Sequence, residues 1–277
     1  RYALDFSIPM LKELRKEIKK SKKDNYKLVI HAHEIHNLHG LLIATFFKND
    51  KVIFQHHGGS WPMKHLKESR GKRFFYPWFA LAQLWENLVL KNIKLFYVLS
   101  KEEIDYIKKK APNSALRFQT MGIEEEYFPP EKKENARKKL NLPLNQKIIL
   151  YIGKIASIKG MSYLLEAMKN LEDVQLKCIG FGPEEPFFKE YIRKNNLNNV
   201  EFLGGVFGEK KMLYLSASDA LVLPSLREGA PVTVMEALAR NTPVVVSDVG
   251  GVSLMIENKR EGIIIKQKSS DEVIKGV

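Results

Sequence analysis

The stretch ALVLPSLREGAPVTVMEALA, residues 220–239, predicts a strand, a loop and a helix in immediate succession. Its apolar start is typical of a buried strand, and a Pro-Ser pair ends that strand. Pro231 suits the first turn of the helix, because its missing N–H has no intrahelical partner there. Glu228 would then lie in the loop beyond the strand and Glu236 inside the helix. Such a strand–loop–helix unit is the repeating element of a parallel α/β sheet.

The same pattern recurs on both sides of that stretch, throughout residues 143–277. Short apolar runs rich in β-branched residues alternate with segments of helical spacing. The runs are Ile148–Ile152, Leu176–Ile179, Val200–Leu203, Leu221–Leu223, Val244–Val246 and Ile263–Ile265. Uninterrupted apolar strands that alternate with helices indicate a parallel sheet covered on both faces. We therefore expect a doubly wound α/β domain over these residues.

The loops that follow the strands are the candidate binding sites, because ligands of open α/β sheets bind at the carboxyl ends of the strands. The loop in YIGKIASIKG, residues 151–160, carries Gly153, Lys154 and Lys159 just before a helix. Small residues, two cations and a helix start can together hold an anionic group. Gly182 lies in the loop that follows the next strand, at the same edge of the sheet. A solvated basic loop remains the alternative for the lysines.

The two glutamates of residues 220–239 form a second candidate site. A buried carboxylate at a sheet edge can accept two hydrogen bonds from a vicinal diol, as dinucleotide-binding folds do with ribose. Glu228 and Glu236 are eight positions apart, one in the loop and one in the helix. The alternative is a pair of surface glutamates near a helix start, where the helix dipole favours acidic residues.

The first half of the chain shows the same alternation with longer interruptions. An amphipathic helix is predicted near the start, and Leu28–Ile30, Val52–Phe54 and Leu95–Leu99 are predicted buried strands. The charged stretch Gly122–Pro143 contains three prolines and separates the two α/β regions. We therefore expect one domain over residues 1–142, including an interdomain linker, and a second domain over residues 143–277.

Composition narrows the class of protein. The 277 residues are 44% hydrophobic and include a single cysteine, Cys178, which excludes a disordered chain and a disulfide framework. No apolar run approaches the ~18 residues of a membrane-spanning helix. Residues 1–142 carry 28 Lys and Arg against 16 Asp and Glu, whereas residues 143–277 carry 17 against 16. We therefore expect a cytoplasmic protein whose first half meets an anionic partner. A start at Arg1 without an initiator methionine is typical of a longer protein.

Histidines and a basic aromatic segment give the first half two further candidate sites. His31, His33, His36 and His39 suggest a metal site, but they lack the HExxH spacing, so we expect strand-end packing and no metal.

The segment Lys64–Trp85 sets cations beside aromatic residues, which suits the anionic cytoplasmic face of a membrane. Core aromatics beside solvated lysines explain the same pattern equally well. No nucleic-acid-binding fold signature accompanies it, so we expect no nucleic acid partner.

Several strings of this sequence, in order, resemble the retaining glycosyltransferases of family 4. In the second half they are YIGKIASIKG…LLEAM, LKCIGFGPEE, NVEFLGGV, ALVLPSLREGAPVTVMEALA and TPVVVSDVGG. In the first half VIHAH, QHHGG, FYVLSKEE and MGIEEEYFPP are similar to motifs of the same family. The resemblance runs from about Leu28 to Val277. It implies a GT-B architecture, with two Rossmann-like doubly wound domains that face each other across a cleft, here truncated at both ends.

The resemblance also implies which residues bind a nucleotide-sugar donor. Lys154 and Lys159 would contact its diphosphate, with Gly153 and Gly182 at the same site, and Glu236 would bind the ribose hydroxyls. Family members usually carry Arg where Lys154 stands, so a bidentate phosphate contact is lost at that position.

Residues near the transferred sugar follow from the same resemblance. Glu228 would hold sugar hydroxyls, and Gly229 and Ala230 would offer backbone N–H groups nearby. His57 would lie at the acceptor face beside the reacting carbon, with His56 as the alternative if the alignment shifts by one residue. The catalytic residues implied are His57, Glu228 and Lys159.

The function that the resemblance implies is sugar transfer, with retention of configuration, from a UDP-, GDP- or ADP-sugar. The acceptor would be a glycan or a lipid-linked molecule of cell-surface glycan synthesis, and no metal or other cofactor would be required. A glycosyl phosphorylase or a nucleoside-diphosphate-sugar synthase would use the same fold. A non-catalytic subunit that binds sugar nucleotides or a membrane surface is the alternative from another class.

Overall fold

The structure is a computed structural model that describes residues 8–33, 38–47, 51–55 and 76–277. The chain forms two compact units, unit 1 over Arg1–Gln119 and unit 2 over Thr120–Val277. Across the described ranges, unit 1 contains a parallel sheet of four strands and unit 2 a parallel sheet of six. None of the helices in those ranges is long and apolar enough to span a bilayer.

Unit 1 carries its strands in the sheet order β1-β2-β3-β4, with every pair parallel. The strands are β1 (Ile30–His33), β2 (Val52–Gln55), β3 (Leu95–Val98) and β4 (Ala115–Phe118), and the helices are α1 (Ile8–Lys23), α2 (Leu38–Phe46), α3 (Tyr76–Leu90) and α4 (Lys101–Lys110). Phe54 of β2 and Phe96 of β3 are buried in the core of this unit. Ile18 packs in the same core, while the lysines of α1 remain exposed, as an amphipathic helix requires.

The first strand of unit 1 lies later than its composition predicts. The predicted run was Leu28–Ile30, but β1 starts at Ile30 because that residue is opposite Val52 in the parallel register. Val29 is half exposed and precedes the strand. Pairing with β2 therefore decided the position of β1, and the apolar run did not.

Unit 2 has the sheet order β10-β9-β8-β5-β6-β7, again with every pair parallel. Its strands are β5 (Lys147–Ile152), β6 (Val174–Ile179), β7 (Val200–Gly204), β8 (Ala220–Leu223), β9 (Val244–Ser247) and β10 (Gly262–Ile265), and its helices are α5 (Lys133–Lys139), α6 (Met161–Met168), α7 (Glu185–Lys194), α8 (Gly208–Ala217), α9 (Val232–Ala239), α10 (Val252–Met255) and α11 (Ser270–Gly276). All six predicted apolar runs lie within these strands. Residues of β5, β6, β8 and β9 are almost wholly buried, because helices cover both faces of the sheet.

The order of the strands creates a switch point in unit 2. The chain builds outward from β5 through β6 to β7, then returns to the other side of β5 and builds outward through β8 and β9 to β10. The connections after β5 and β8 therefore leave the sheet in opposite directions. In open α/β sheets, ligands bind in the crevice at this point, beyond the carboxyl ends of the two strands.

The segment 120–142 packs with unit 2, although its composition suggested a linker of the first domain. Tyr127 lies in the core of unit 2, and Arg137 is only 3% exposed. Nη1 of Arg137 donates to three backbone carbonyl oxygens in the turn before β5. The compact units therefore divide near residue 119, earlier than the expected division at 142. Two buried side chains in a charged, proline-rich segment account for the difference.

Candidate functional site

The loop after β5 leads from the sheet to the start of α6. The N–H of Gly153 donates to the carbonyl oxygen at the end of β6 at 3.0 Å, so the loop leaves beside the neighbouring strand. The hydroxyl of Tyr151 donates to the carbonyl oxygen of Lys154 at 2.7 Å and fixes the first turn. The side chain of Lys154 is exposed. A 3₁₀ helix, Ser157–Lys159, then enters α6 through Gly160.

Close backbone contact joins this loop to the loop after β8. Gly160 has a φ of +77°, and a Cβ at that position would lie 1.8 Å from the carbonyl oxygen of Pro224. Only glycine fits both the left-handed conformation and the contact. The N–H of Leu226 donates to the carbonyl oxygen of Ile158 at 3.0 Å. The two loops of the switch point are therefore fastened to each other.

The loop after β6 also makes close contacts with the loop after β5. A Cβ on Gly182 would lie 1.8 Å from the carbonyl oxygen of Ile155, and the Ile155 N–H donates to the carbonyl oxygen of Phe181 at 2.9 Å. The carboxylate of Glu184 accepts hydrogen bonds from the backbone and the hydroxyl of Ser157. Gly182 thus permits the loop after β6 to pack closely on the loop after β5 at this edge of the sheet.

An ion pair crosses the switch point. Nζ of Lys159 lies 2.8 Å from Oε1 and 2.8 Å from Oε2 of Glu228. The hydroxyl of Ser225 donates to Oε1 at 2.7 Å. The Glu228 side chain is 8% exposed and that of Lys159 is 27% exposed. Lys159 and Glu228, which the sequence pattern put in two candidate sites and the resemblance put at one donor, therefore lie together, with the lysine still open to solvent.

The glycine pair after β9 supports the backbone around Glu228. A Cβ on Gly250, which has a φ of +59°, would lie 2.4 Å from the carbonyl oxygens of both Glu228 and Gly229. The N–H of Gly251 donates to the carbonyl oxygen of Gly229 at 2.5 Å. Ala230 follows in the same loop and is partly buried. The loop that contains Glu228, which the resemblance places near the transferred sugar, is thus held against the loop after β9.

Glu236 lies in α9 and is buried, as a diol-binding carboxylate would be. Its Oε1 accepts hydrogen bonds from the Tyr127 hydroxyl at 2.8 Å and from Nζ of Lys211 at 2.7 Å. Its Oε2 is buried and has no hydrogen-bond partner within the described part of the chain. Burial raises the pKa of the Tyr127 hydroxyl, and its hydrogen bond to Glu236 acts in the same direction. The phenol therefore stays protonated and donates.

Three residues of this site were not predicted from the sequence. Ser225 and Tyr127 stand in strings that carried the resemblance, but nothing in those strings reveals their partners. Lys211 lies in α8 among other lysines, without any signal of its own. Tyr127 and Glu236 are 109 positions apart, and Lys211 and Glu236 are 25 apart, so only the folded unit brings them together.

The structure describes only some of the residues that the sequence predicted for sites in unit 1. His56, His57 and His36 lie outside the described residues. The rings of His31 and His33 lie on one face at the end of β1, 4.5 Å apart between centroids, as strand alternation predicts. In the described ranges there is no group of three or more His, Cys, Asp or Glu residues that could hold a metal ion.

Residues 132–277 match the sequence model of a family described as Glycosyl transferases group 1. A similar curated protein is the putative teichuronic acid biosynthesis glycosyltransferase TuaC of Bacillus subtilis, 36% identical over 149 residues, which are 53% of this chain and 36% of TuaC. Among solved structures, sucrose-phosphate synthase from Thermosynechococcus elongatus is similar with a TM-score of 0.71 and 22% identity, over 93% of this chain and 65% of that chain. The structure of Anabaena HepE in complex with UDP is similar with a TM-score of 0.70 and 19% identity, over 94% of this chain and 70% of that chain.

These similarities show the fold of the chain and how much of each similar protein the chain covers. The two solved structures confirm the GT-B fold class, built from Rossmann-like parallel sheets, that the sequence predicts. The aligned segment spans 36% of the length of TuaC, and the chain spans 65% of the sucrose-phosphate synthase chain. The comparison therefore covers only part of those proteins.

Proposed function

Because the chain belongs to the glycosyl transferases group 1 family, we propose that the full-length protein transfers a sugar from a nucleotide-sugar donor to an acceptor hydroxyl. The donor binds to unit 2 and the acceptor binds to unit 1. The transfer retains the anomeric configuration and requires no metal or other cofactor. The resemblance to family 4 supports these finer statements.

The Lys159–Glu228 pair carries this proposal. It sets a cation and a hydroxyl acceptor side by side in the crevice where open α/β sheets bind ligands. A diphosphate requires the cation, and a sugar hydroxyl requires the carboxylate. Lys159 is part-exposed, so its remaining N–H can reach a ligand without breaking the ion pair. The first turn of α6 adds backbone N–H groups and positive dipole charge at the same loop.

The other predicted residues fit a nucleotide diphosphate. The unpartnered Oε2 of Glu236 is a buried acceptor that lacks a donor, as a ribose-binding carboxylate without its ligand would be. Lys154 is exposed at the start of the loop that carries Lys159, and it supplies a second positive charge. Gly182 lets the loop after β6 pack closely on the loop that carries Gly153, so the backbone of the two loops forms a firm edge for the donor.

The chemistry we propose for these residues is a front-face displacement. The bond between the anomeric carbon and the diphosphate oxygen breaks, and the electron pair leaves with the diphosphate. The acceptor oxygen bonds to the same face of that carbon and gives its proton to the departing phosphate oxygen. Lys154 and Lys159 stabilise the charge that builds on the diphosphate, and Glu228 orients the sugar through its hydroxyls. His57 contacts the acceptor beside the reacting carbon.

The acceptor we propose is a glycan or lipid-linked molecule of cell-surface glycan synthesis, met at the cytoplasmic face of a membrane. Leu81, Leu84 and Leu88 of α3 support contact with lipid, since they are 59%, 59% and 70% exposed at spacings typical of one helix face. The basic residues of α1 suit an anionic surface. Flotation with anionic liposomes at low salt tests this contact, and absence of binding would contradict it.

Donor hydrolysis by the full-length protein tests the site. With UDP-glucose, GDP-mannose and ADP-glucose as donors, Lys159→Ala and Glu228→Ala are expected to lower kcat about 10²–10³-fold, the usual effect of removing one group that stabilises transition-state charge. Wild-type turnover in both variants would contradict the assignment. The matched control is Lys147→Ala, since Lys147 forms an exposed ion pair with Asp173 at the opposite end of β5.

The same assay separates the rival functions. A glycosyl phosphorylase would leave the nucleotide sugars intact and release sugar phosphate from an added oligosaccharide only when inorganic phosphate is present. A synthase would form a nucleotide sugar from a sugar phosphate and a nucleoside triphosphate, with release of pyrophosphate. A non-catalytic subunit would bind the nucleotide in calorimetry but turn over no donor. Product identification by mass spectrometry distinguishes these outcomes from transfer.

A further inference from the structure

The two carboxylate oxygens of Glu236 have unequal surroundings. Oε1 accepts hydrogen bonds from Tyr127 and Lys211, whereas the buried Oε2 has no partner among the residues that the structure describes. An oxygen with two donors has used both lone pairs, and a buried oxygen without a donor costs free energy until one reaches it. Glu236 therefore offers a ligand one oxygen, not the two that a vicinal diol could bridge.

Tyr127 is held so that its hydroxyl has a fixed position. Its ring lies in the hydrophobic core and is 7% exposed. Nη1 of Arg240 donates to the backbone carbonyl oxygen of Tyr127 at 3.1 Å, and Nε of Arg240 donates to the hydroxyl of Ser216 at 2.9 Å. Tyr127 therefore reaches Oε1 of Glu236 from a rigid support.

Lys211 supplies the charge that Glu236 requires. Its ammonium lies 5.5 Å from the centroid of the Tyr127 ring, and its side chain is 20% exposed. Burial alone lowers the pKa of Lys211, but the hydrogen bonds with Glu236 and Tyr127 outweigh burial and raise it. The lysine therefore stays charged. Because Lys211 balances the charge of the buried carboxylate, Glu236 can accept a hydrogen bond from an uncharged hydroxyl and still be part of an ion pair.

The Lys211–Glu236 pair differs in geometry from the Lys159–Glu228 pair, in which the lysine contacts both carboxylate oxygens. At Glu228 the lysine nitrogen lies 2.8 Å from both oxygens of the carboxylate. At Glu236 the nitrogen of Lys211 and the hydroxyl of Tyr127 both approach Oε1. A lysine that served stability alone would gain more from contact with both oxygens, because Oε2 would then be satisfied.

We propose that Lys211 and Tyr127 are positioning residues that hold Oε1 of Glu236, so that Oε2 alone receives the ribose hydroxyls of the nucleotide. This inference rests on the proposed function and adds to it the way in which ribose is recognised. Affinity for the ribose hydroxyls then depends on two side chains that do not themselves touch the nucleotide. Neither the resemblance nor the sequence pattern pointed to Lys211.

Calorimetry on the full-length protein tests this positioning role. UDP, GDP and ADP are titrated, and the tightest of them is compared with its 2′,3′-dideoxy form. In the wild type, loss of both hydroxyls is expected to weaken binding about tenfold or more, as for hydrogen bonds to a charged group. In Lys211→Met the ratio between the two forms is expected to fall to about one. In Tyr127→Phe, which removes one oxygen and keeps the ring, the ratio falls less.

Kinetics and a matched variant separate positioning from stability. Lys211→Met is expected to raise the donor KM about tenfold with kcat changed less than about twofold, because ribose binding is equal in the ground and transition states. The control Lys210→Met removes the exposed neighbouring lysine and should change neither quantity. If Lys211→Met does not fold, Tyr127→Phe decides alone, since its smaller ratio is required by the proposal.

Two different failures can be told apart. If the wild type binds none of the three nucleotides, the proposed function is wrong and this inference falls with it. If the wild type binds a nucleotide and prefers the ribose form, but Lys211→Met and Tyr127→Phe keep the wild-type ratio, only the positioning role is wrong. A change in thermal stability with an unchanged ratio would make the three-residue contact purely structural.

Discussion

The two ends of strands β5 and β8 carry clusters of charged side chains that are built in opposite ways. At the amino ends, the carboxylate of Asp219 accepts hydrogen bonds from Arg137 and Lys133 at 2.8 Å each. At the carboxyl ends, Lys159 donates to both oxygens of Glu228 at the switch point. Both clusters lie at the ends of the same two neighbouring strands. The choice of strands therefore does not explain the difference between the clusters.

We call the cluster at the amino ends closed because the hydrogen bonds of its buried arginine go to protein acceptors, although Asp219 and Lys133 are 35% and 51% exposed. Arg137 is 3% exposed, and its Nε donates to the carbonyl oxygen of Ala217 at 2.9 Å. Its Nη1 donates to three further carbonyl oxygens and its Nη2 to Asp219. The backbone N–H of Ile148, in β5, donates to Asp219 at 2.7 Å. These contacts tie segment 120–142, β5 and β8 into one unit.

The cluster at the carboxyl ends is open. Lys159 is 27% exposed, and α9, which follows the Glu228 loop, carries a buried carboxylate oxygen without a partner. A closed network of buried polar groups stabilises one structure, whereas an open one keeps bonding capacity for a ligand. Charge and burial alone therefore do not distinguish the proposed site from the cluster at the other end of the strands. The difference lies in the donors and acceptors that remain for a ligand.

Breaking the closed cluster is expected to have the largest effect. Arg137→Met removes the guanidinium that donates to the carbonyl oxygens before β5, and leaves Asp219 with fewer donors. We expect the free energy of unfolding of unit 2 to fall by about 3–5 kcal/mol, because four backbone carbonyl oxygens lose the donor that they share. Urea unfolding followed by far-UV circular dichroism measures it.

Two controls belong to that measurement. All three tryptophans precede residue 120, so tryptophan fluorescence reports unit 1 and its transition should not move. Lys138→Met changes the exposed neighbour of Arg137 and should alter the free energy of unfolding by less than about 0.5 kcal/mol. Equal losses in Arg137→Met and Lys138→Met would show that the cluster is not what holds this end of the sheet.

Acid is expected to weaken the closed cluster to a smaller extent. Burial alone raises the pKa of Asp219, but the hydrogen bonds from Lys133 and the Ile148 N–H and the charge of Arg137 together lower it. A carboxylate whose pKa is lowered on folding stabilises above its unfolded pKa of about 4, and this is lost as the pH falls through the folded pKa. The stability of unit 2 should therefore decrease below about pH 4.

The variant Asp219→Asn isolates this group. It carries no carboxylate to titrate, so its free energy of unfolding should depend less steeply on pH below about pH 4 than that of the wild type. Urea unfolding at several pH values between about 6 and 3, followed by circular dichroism, compares the slopes. Parallel curves for the two proteins would assign the acid sensitivity to other carboxylates.

Much of the fold of unit 2 could be predicted from the sequence because its strands are buried on both faces. Such strands are continuous apolar runs, and all six were found. The division near residue 119 could not be predicted, since the segment that contains Tyr127 and Arg137 is charged and rich in proline. Its attachment to unit 2 depends on hydrogen bonds to carbonyl oxygens, which leave no trace in composition.

The site was predictable in its positions and not in its bonds. That Lys159 and Glu228 lie at one edge of the sheet was predictable, because parallel strands bring their following loops together, and their roles in binding stay predictions. The direct contact between them, and the contacts of Glu236 with Tyr127 and Lys211, depend on how loops and helices pack across long separations in sequence. The role of His57 and the proposed membrane contact also stay predictions, because they depend on residues that the structure does not describe or on segments beside them.

The smallest effect on stability is expected at the open cluster, where the change is chemically matched to Asp219→Asn. Glu228→Gln keeps the shape of the side chain and an oxygen that accepts from Ser225 and Lys159. Because Lys159 is part-exposed, water can solvate its charge once the carboxylate is gone, so the free energy of unfolding should change by less than about 1 kcal/mol. Urea unfolding of this variant measures it beside Arg137→Met. A loss as large as that of Arg137→Met would mean that the Lys159–Glu228 pair holds the sheet together as the amino-end cluster does, and the distinction between a closed and an open end would not stand.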